Sequence, residues 1–335
     1  MYALLLISRR ELAMIQRLRP LLALLLLTCA FLAPAAAAAE TKVQQIDLEP
    51  KDAARDRVVP IRVYLPETAK PLPVILFSHG LGGSRENSVY LGNHWASAGY
   101  VCVFMQHAGS DESVWKGVPR REIMQAMKQA ASGKSLMDRI KDVSFVIDQL
   151  EVMNKQADSP LQGKLDLEHI GMTGHSFGAV TTTAVAGRKF PLGRSNAEPR
   201  LDAFLPMSPQ TTEGMSAEKS YGEVKLPMLC MTGTADSSMI DPRTTPESRR
   251  EVYQGLPTGD KYELVFDGGT HAAFSDARGL RIGKRDPAHH PAIQQISLKF
   301  WDAYLKEDAA AKKWLQSDQP KTDAKLKEKD VWQWK

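Results

Sequence analysis

One stretch narrows the possible folds more than any other: Ile170-Gly171-Met172-Thr173-Gly174-His175-Ser176-Phe177-Gly178-Ala179-Val180, an apolar run broken by Gly-His-Ser-Phe-Gly and resumed by residues 181–186. A strand-like run, a Gly-x-Ser-x-Gly turn and a small-residue helix make a nucleophile elbow, the sharp turn that lifts a serine Oγ clear of a sheet. Side chains at Gly174 or Gly178 are expected to collide with the neighbouring strand or helix, and the serine to sit in a strained backbone conformation. The turn also sets Ser176 at a helix N-terminus, where free N–H groups favour developing negative charge. Ser176 is therefore the candidate nucleophile. The competing reading is a chance match in a loop, and it turns on whether partner residues follow in the right order.

Around the elbow the chain alternates short β-rich runs with helix-like segments. Residues 43–48 and 57–65 read as an antiparallel opening pair, and residues 73–78 and 100–106 as strands buried on both faces. Residues 86–98 read as a helix, and residues 135–153 as the clearest one, with Leu136, Ile140, Val143, Ile147 and Leu150 at three-to-four spacing behind Ser135 as cap. Residues 109–134, with Trp115, Pro119 and a basic piece near 120–129, form an excursion after a strand end. Beyond the elbow, strands are expected at 203–208, 227–232 and 262–266, and helices at 245–254 and 291–305. The Lys-rich tail from Asp308, with Trp314, Trp332 and Trp334, is expected to dock as a surface helix and then fray. The fold class is α/β: a mostly parallel twisted sheet of about eight strands covered by helices on both faces. At 335 residues, with no internal repeat, the chain is expected to hold one catalytic domain over residues 40–335.

Partners for Ser176 appear at the ends of two later strands. One ends in Gly233-Thr234-Ala235-Asp236-Ser237 and the last in Asp267-Gly268-Gly269-Thr270-His271, which brings Asp236 and His271 to the same carboxyl edge as Ser176. Neutral His271 suits the base that takes the Ser176 proton, with Asp236 orienting the ring and stabilising its cation. Backbone N–H groups of Leu81 and Phe177 are expected to hold the oxyanion, the Gly80, Gly82 and Gly83 cluster letting the first loop approach. Asp202 is the rival acid, but it precedes its strand and so falls at the opposite edge; Asp267 reads as a turn residue. His79 is expected to support the donor loop, His175 to pack behind the elbow, and His289-His290 to form a surface pair. Trp115 and Phe274 read as packing residues and are the first candidates for an acyl pocket. No histidine or cysteine spacing marks a metal site, and neither metal nor cofactor is expected.

Composition removes other classes. Charged residues make up 24% and the net charge is +4 without a basic, aromatic-interleaved stripe, so nucleic acid is not an expected partner. Arg17, Arg19 and Pro20, an apolar segment at 21–33 and an alanine run ending at Ala39 form the n-, h- and c-regions of a signal peptide spanning residues 1–39. The apolar core is shorter than the roughly 20 residues of a spanning helix, so no stable span is expected after cleavage near Ala39-Glu40. Met14 opens a more conventional signal than Met1, and Cys29 leaves a lipoprotein signal as the alternative. Export to the periplasm or medium follows, with Cys102 and Cys230 as free, structural thiols.

Phe77-Ser78-His79-Gly80-Leu81-Gly82-Gly83 together with Gly174-His175-Ser176-Phe177-Gly178-Ala179 resembles the secreted platelet-activating factor acetylhydrolase and dienelactone-hydrolase-like branch of the α/β-hydrolases, over residues 56–305. The resemblance implies the α/β-hydrolase fold and cofactor-free hydrolysis of esters with short or oxidised acyl groups. It has two departures: dienelactone hydrolases proper carry a cysteine where this chain has Ser176, and mammalian acetylhydrolases carry the acid where it has Ser208. The expected function is an exported serine carboxylic ester hydrolase working through an acyl-enzyme. The alternatives are a polyester or phospholipid-acyl hydrolase of the same fold, amide hydrolysis or acyl transfer through the same intermediate, and a non-enzymatic binding protein on that fold.

Overall fold

Side chains alternate across a strand, so one that is apolar at every position must be covered on both sides. A computed structural model, describing residues 42–211, 214–276 and 285–335, meets that condition with a single large sheet. Its strands are β1 (Val43–Leu48), β2 (Ile61–Pro66), β3 (Leu72–Ser78), β4 (Val101–Met105), β5 (Leu165–His175), β6 (Ala203–Met207), β7 (Met228–Ala235), β8 (Lys261–Thr270) and β9 (Val331–Trp334). They lie in the order β1-β2-β4-β3-β5-β6-β7-β8-β9. From β4 through β8 all neighbours are parallel, while β1, β2 and β9 pair antiparallel at the two ends. This is the α/β-hydrolase architecture.

The alternation divides the interior into two cores. Val74 and Leu76 of β3 and Val101, Val103 and Met105 of β4 point into one; Ile75 and Phe77 with Cys102 and Phe104 point into the other. Helices α3 (Gly133–Lys155), α4 (Phe177–Val185) and α5 (Pro246–Gly255) cover the first face with Ile140, Val143, Val146, Ile147, Val180 and Val252. Helices α1 (Val89–Ser97), α6 (His289–Leu305) and α7 (Ala309–Leu315) cover the second with Leu91, Trp95, Ile293, Ile296, Phe300, Trp301 and Leu315. The remaining principal helix (Ile123–Ala130) lies in the excursion before α3. Cys102 and Cys230 face opposite cores and are free, as expected.

Three local expectations change. Ser132 rather than Ser135 caps α3, its Oγ accepting the Ser135 N–H at 3.1 Å. His289 and His290 open α6 instead of lying on the surface: His289 is buried and stacks on Phe266 at 4.3 Å, and His290 stacks on Tyr90 at 3.7 Å. The tail does not fray. After two short helices it returns as β9 and closes the β8 edge, pairing Trp332 with Leu264 and Trp334 with Tyr262. The buried Trp332 ring stacks on Tyr262 at 5.8 Å and its Nε1 donates to the Ser317 carbonyl at 3.2 Å. An unpaired edge with exposed N–H and C=O groups invites wrong pairing, so this strand protects the sheet as well as extending it. Residues 1–39, read above as a signal peptide, lie outside the described residues.

Trp332→Ala removes a packed aromatic from that closure and is expected to lower unfolding free energy by about 3–5 kcal/mol, whereas Trp334→Ala, at a more exposed position, changes it by about 0.5 kcal/mol or less. Urea titration followed by circular dichroism measures both; equal, small effects would show that β9 contributes little to closing the sheet.

Candidate active site

At β3 the sheet order reverses, β4 lying to one side and β5 to the other, and such switch points open a crevice at the carboxyl ends of the strands. Ser176 leaves β5 at that point. Its backbone adopts φ 57° and ψ −114°, a region that costs a non-glycine residue of order 1–3 kcal/mol. The strain is held from both sides. The Ser176 N–H donates to Met207 O at 2.9 Å, keeping β5 joined to β6 up to the turn. On the other side α4 is pressed onto the end of β3: a Cβ on Gly178 would lie 1.8 Å from Ser78 O, and one on Gly174 2.6 Å from Ser78 O. Only glycine fits either position.

The same close approach brings the β3 loop against the serine. A Cβ on Gly80 would sit 3.5 Å from Ser176 Cβ and 3.4 Å from His175 O, so Leu81 follows a residue in direct contact with the elbow. Phe177 is the first residue of α4, where an N–H has no intrahelical acceptor. The loop is braced from behind: Gly82 N donates to Ser110 O at 2.9 Å, Gly83 N to Gly80 O at 3.0 Å, and Trp115 Nε1 to Gly82 O at 2.7 Å. Trp115 and Met127 of the excursion both crowd Gly82, each about 3.0 Å from where its Cβ would be. Trp115 is thus a half-buried wall over the donor loop.

Strand register brings Asp236 and His271 together. After a bulge in β8, Thr270 is paired with Ala235 of β7, and the next residues of the two strands are His271 and Asp236. His271 Nδ1 donates to Asp236 Oδ1 at 2.7 Å, which fixes the tautomer and leaves Nε2 as the acceptor. The His271 ring lies 4.5 Å from that of His175, the residue before Ser176. Thr232 Oγ1 donates to Asp236 Oδ2 at 3.0 Å. Burial pushes the Asp236 carboxyl up, but the His271 hydrogen bond and the charges of His271 and Arg249 outweigh it and hold the pKa down to about 2. Asp202 sits at the start of β6 on the opposite edge, where its Oδ2 accepts the Ile170 N–H at 2.7 Å.

Phe274 is not a pocket residue. It is fully buried, 6.1 Å from Phe266 and 6.2 Å from His175 between ring centroids, because the short turn His271–Phe274 folds back onto the sheet. His175 packs behind the elbow, and His79 lies buried beneath the β3 loop with its ring against Gly80 O. Arg249 was not singled out from the sequence. Completely buried on α5, it donates Nε to the Asp236 carbonyl at 2.7 Å, lies 3.0 Å from Asp236 Oδ1, and donates Nη1 to Ser208 O at 2.8 Å and Pro209 O at 3.1 Å. Its one sequence signal is a charge on the apolar face it shares with Val252 and Tyr253. Among the described residues no group of three or more His, Cys, Asp or Glu side chains is arranged to hold a metal ion, and no helix is long and apolar enough to cross a membrane.

Residues 56–331 match the protein family described as X-Pro dipeptidyl-peptidase (S15 family). Among individual proteins, the chain is similar to Cutinase 2 of Thermobifida cellulosilytica, 24% identical over 212 residues that make up 63% of this chain and 64% of the relative. It is equally similar to Cutinase cut1 of Thermobifida fusca, 24% identical over 63% of this chain and 53% of the relative. The chain thus spans less than two thirds of the length of these curated relatives.

The depressed Asp236 pKa carries a linkage prediction. Its stabilising contribution is complete above the ordinary carboxylate value of 3.8 and is lost as pH falls through about 2. The stability advantage of wild type over Asp236→Asn is therefore expected to be constant from pH 7 to 5 and to shrink between pH 4 and 2. Denaturant midpoints along a pH series test this; an advantage that grows on acidification would contradict it.

Proposed function

This chain belongs to the X-Pro dipeptidyl-peptidase family (S15), and from that premise and its sheet edge we propose that it is a serine hydrolase that cleaves carboxylic esters. The observation that carries the reading is the convergence of Ser176, the hydrogen-bonded His271–Asp236 pair and the Gly80-Leu81 loop on one edge of the sheet. In this reading His271 Nε2 removes the Ser176 proton as Oγ attacks the acyl carbon. The N–H groups of Leu81 and Phe177 take up the oxyanion, and the proton passes from His271 to the departing alkoxide. Water then repeats the sequence on the acyl-enzyme and releases the acid. Asp236, ionised throughout the neutral range, stabilises the imidazolium formed in each half-reaction.

The similarity to cutinases supports an ester substrate, and the sequence resemblance to acetylhydrolases and dienelactone-hydrolase-like proteins supports small or short acyl groups. Trp115, leaning over the donor loop, is the side chain proposed to bound the acyl group. A second reading, removal of X-Pro dipeptides, has the family description in its favour. The two readings share the nucleophile and differ in the leaving group.

Export belongs to the same proposal: the basic, apolar and small-residue regions before Glu40 give a mature chain that starts near residue 40. N-terminal sequencing of protein recovered outside the cytoplasm tests it, and an intact Met1 or Met14 there would refute it.

A fluorophosphonate is expected to add one adduct, on Ser176, with none in Ser176→Ala and much slower labelling in folded His271→Ala. Asp236→Asn is expected to lower kcat by about 10⁴, and Asp202→Asn to leave it nearly unchanged. The wild type should turn over p-nitrophenyl butyrate far better than Gly-Pro-p-nitroanilide. The reverse preference would favour the dipeptidyl reading, and an adduct elsewhere would remove Ser176 from the mechanism.

A further inference from the structure

Arg139 lies on the apolar face of α3 beside Leu136, Ile140 and Val143 and is completely buried. Taking a guanidinium out of water costs several kcal/mol unless its donors are met, and here they are met by the end of β3 with its loop and by Ser110 in the loop after β4. Nη1 donates to His79 O at 2.7 Å, the peptide that leads into Gly80 and Leu81. Nε donates to Ser110 Oγ at 2.8 Å and Nη2 to Ser110 O at 3.3 Å, the carbonyl that also accepts Gly82 N. Its Cζ lies over the Phe177 ring, 4.4 Å from the centroid. One cation therefore touches the β3 loop and the first residue of α4 together.

The groups behind it set its charge and direction. Nη1 also reaches Ser78 Oγ at 3.3 Å; the Ser78 hydroxyl donates to His107 Nε2 at 2.9 Å, and His107 Nδ1 donates to Asp142 Oδ2 at 2.9 Å. Burial pushes the His107 pKa down to about 4, with the Arg139 charge adding to the effect, so the ring is neutral and this direction of donation is the only one available. The His107 N–H donates to His79 Nε2 at 3.0 Å, which leaves the His79 Nδ1–H to donate to Gly80 O at 2.6 Å. The 3.3 Å approach of Arg139 Nη2 to His79 Nδ1 is then a contact between two donors and not a hydrogen bond. Asp142 is held directly by Arg57, at 2.8 Å through both Nε and Nη2, and by Arg55 at 2.8 Å. The hydroxyl and imidazole stand between it and Arg139, so the guanidinium has no direct carboxylate partner among these contacts.

We propose that Arg139 is a positioning residue for the oxyanion hole: its fork and its cation–π contact fix the His79–Leu81 segment relative to Phe177 so that the two backbone N–H groups converge, and its charge reinforces them from behind. The inference rests on the serine hydrolase reading above. A purely structural clamp would alter stability and substrate binding together. A residue that sets the oxyanion geometry acts on the transition state, so its loss falls on kcat while KM stays.

The test uses p-nitrophenyl butyrate hydrolysis and inhibition by butylboronic acid, whose tetrahedral adduct on a serine mimics the intermediate. Arg139→Met is expected to lower kcat about 10²-fold with KM changed less than about 3-fold, the scale of losing one oxyanion donor, and to weaken the boronate by a similar factor. Arg139→Lys, which keeps the charge without the fork, should fall between Met and wild type. Should Arg139→Met not fold, Arg139→Lys and Phe177→Leu form a double-mutant cycle, the leucine removing the aromatic face but keeping the backbone N–H; their losses in kcat should multiply to more than the double variant shows. Wild-type kcat in folded Arg139→Met, a loss confined to KM, or independent losses in the cycle would overturn the proposal. Turnover that survives Ser176→Ala would instead overturn the serine hydrolase reading beneath it.

Discussion

The contact between α4 and the end of β3 governs the rest of the structure. A helix that starts with its second residue against Ser78 O leaves no room for a Cβ at Gly178, and a strand that must turn into that helix within one residue has to place Ser176 at positive φ. Three consequences follow from this one approach. The serine side chain is lifted out of the sheet, the first N–H of α4 is left without an intrahelical partner, and the loop after β3 lies against the serine. The backbone strain is borne by the two cores, whose packing is spread over both faces of the sheet.

Around this contact the interior holds buried charged and polar side chains, Arg139, Arg249, Asp236, His79 and His107 among them. Arg249 ties the ends of β6 and β7 by donating to Ser208, Pro209 and Asp236 carbonyls while keeping Asp236 ionised. Arg139 donates to the His79 and Ser110 carbonyls behind β3 and β4 and sets its cation over the Phe177 ring. Replacing such groups with apolar ones is often neutral for stability, so their cost is better explained by position than by cohesion: each fixes loops that leave neighbouring strands separately. Ser208 fits the same picture: its carbonyl, just past β6, is held by Arg249, while the carboxylate hydrogen-bonded to His271 comes from the end of β7.

Much of this was legible in the sequence because it depends on short-range rules. The Gly-His-Ser-Phe-Gly run, the buried strands on either side of it and the polar residues at their carboxyl ends place Ser176, Asp236 and His271 on one edge once the strands are parallel. Asp202 falls at the other edge by the same rule. The harder residues depend on packing between distant elements. Phe274 follows the base in sequence like a pocket residue, yet the turn after β8 folds it into the core. The tail's β-prone run is only four residues, Val331–Trp334, behind a Lys-rich stretch; it becomes a strand because Tyr262 and the open β8 edge receive it.

The sequence by itself determined the elbow, the order of Ser176, Asp236 and His271 along the chain, and the two apolar faces, since each follows from local sterics and the two-residue period of a strand. Only the tertiary structure decided what surrounds them. Arg139 and Arg249 look in sequence like ordinary helix charges, and their partners lie across loops from strands far away in the chain. A charge on an apolar face is either an error or a paired group, and three-dimensional proximity alone tells which.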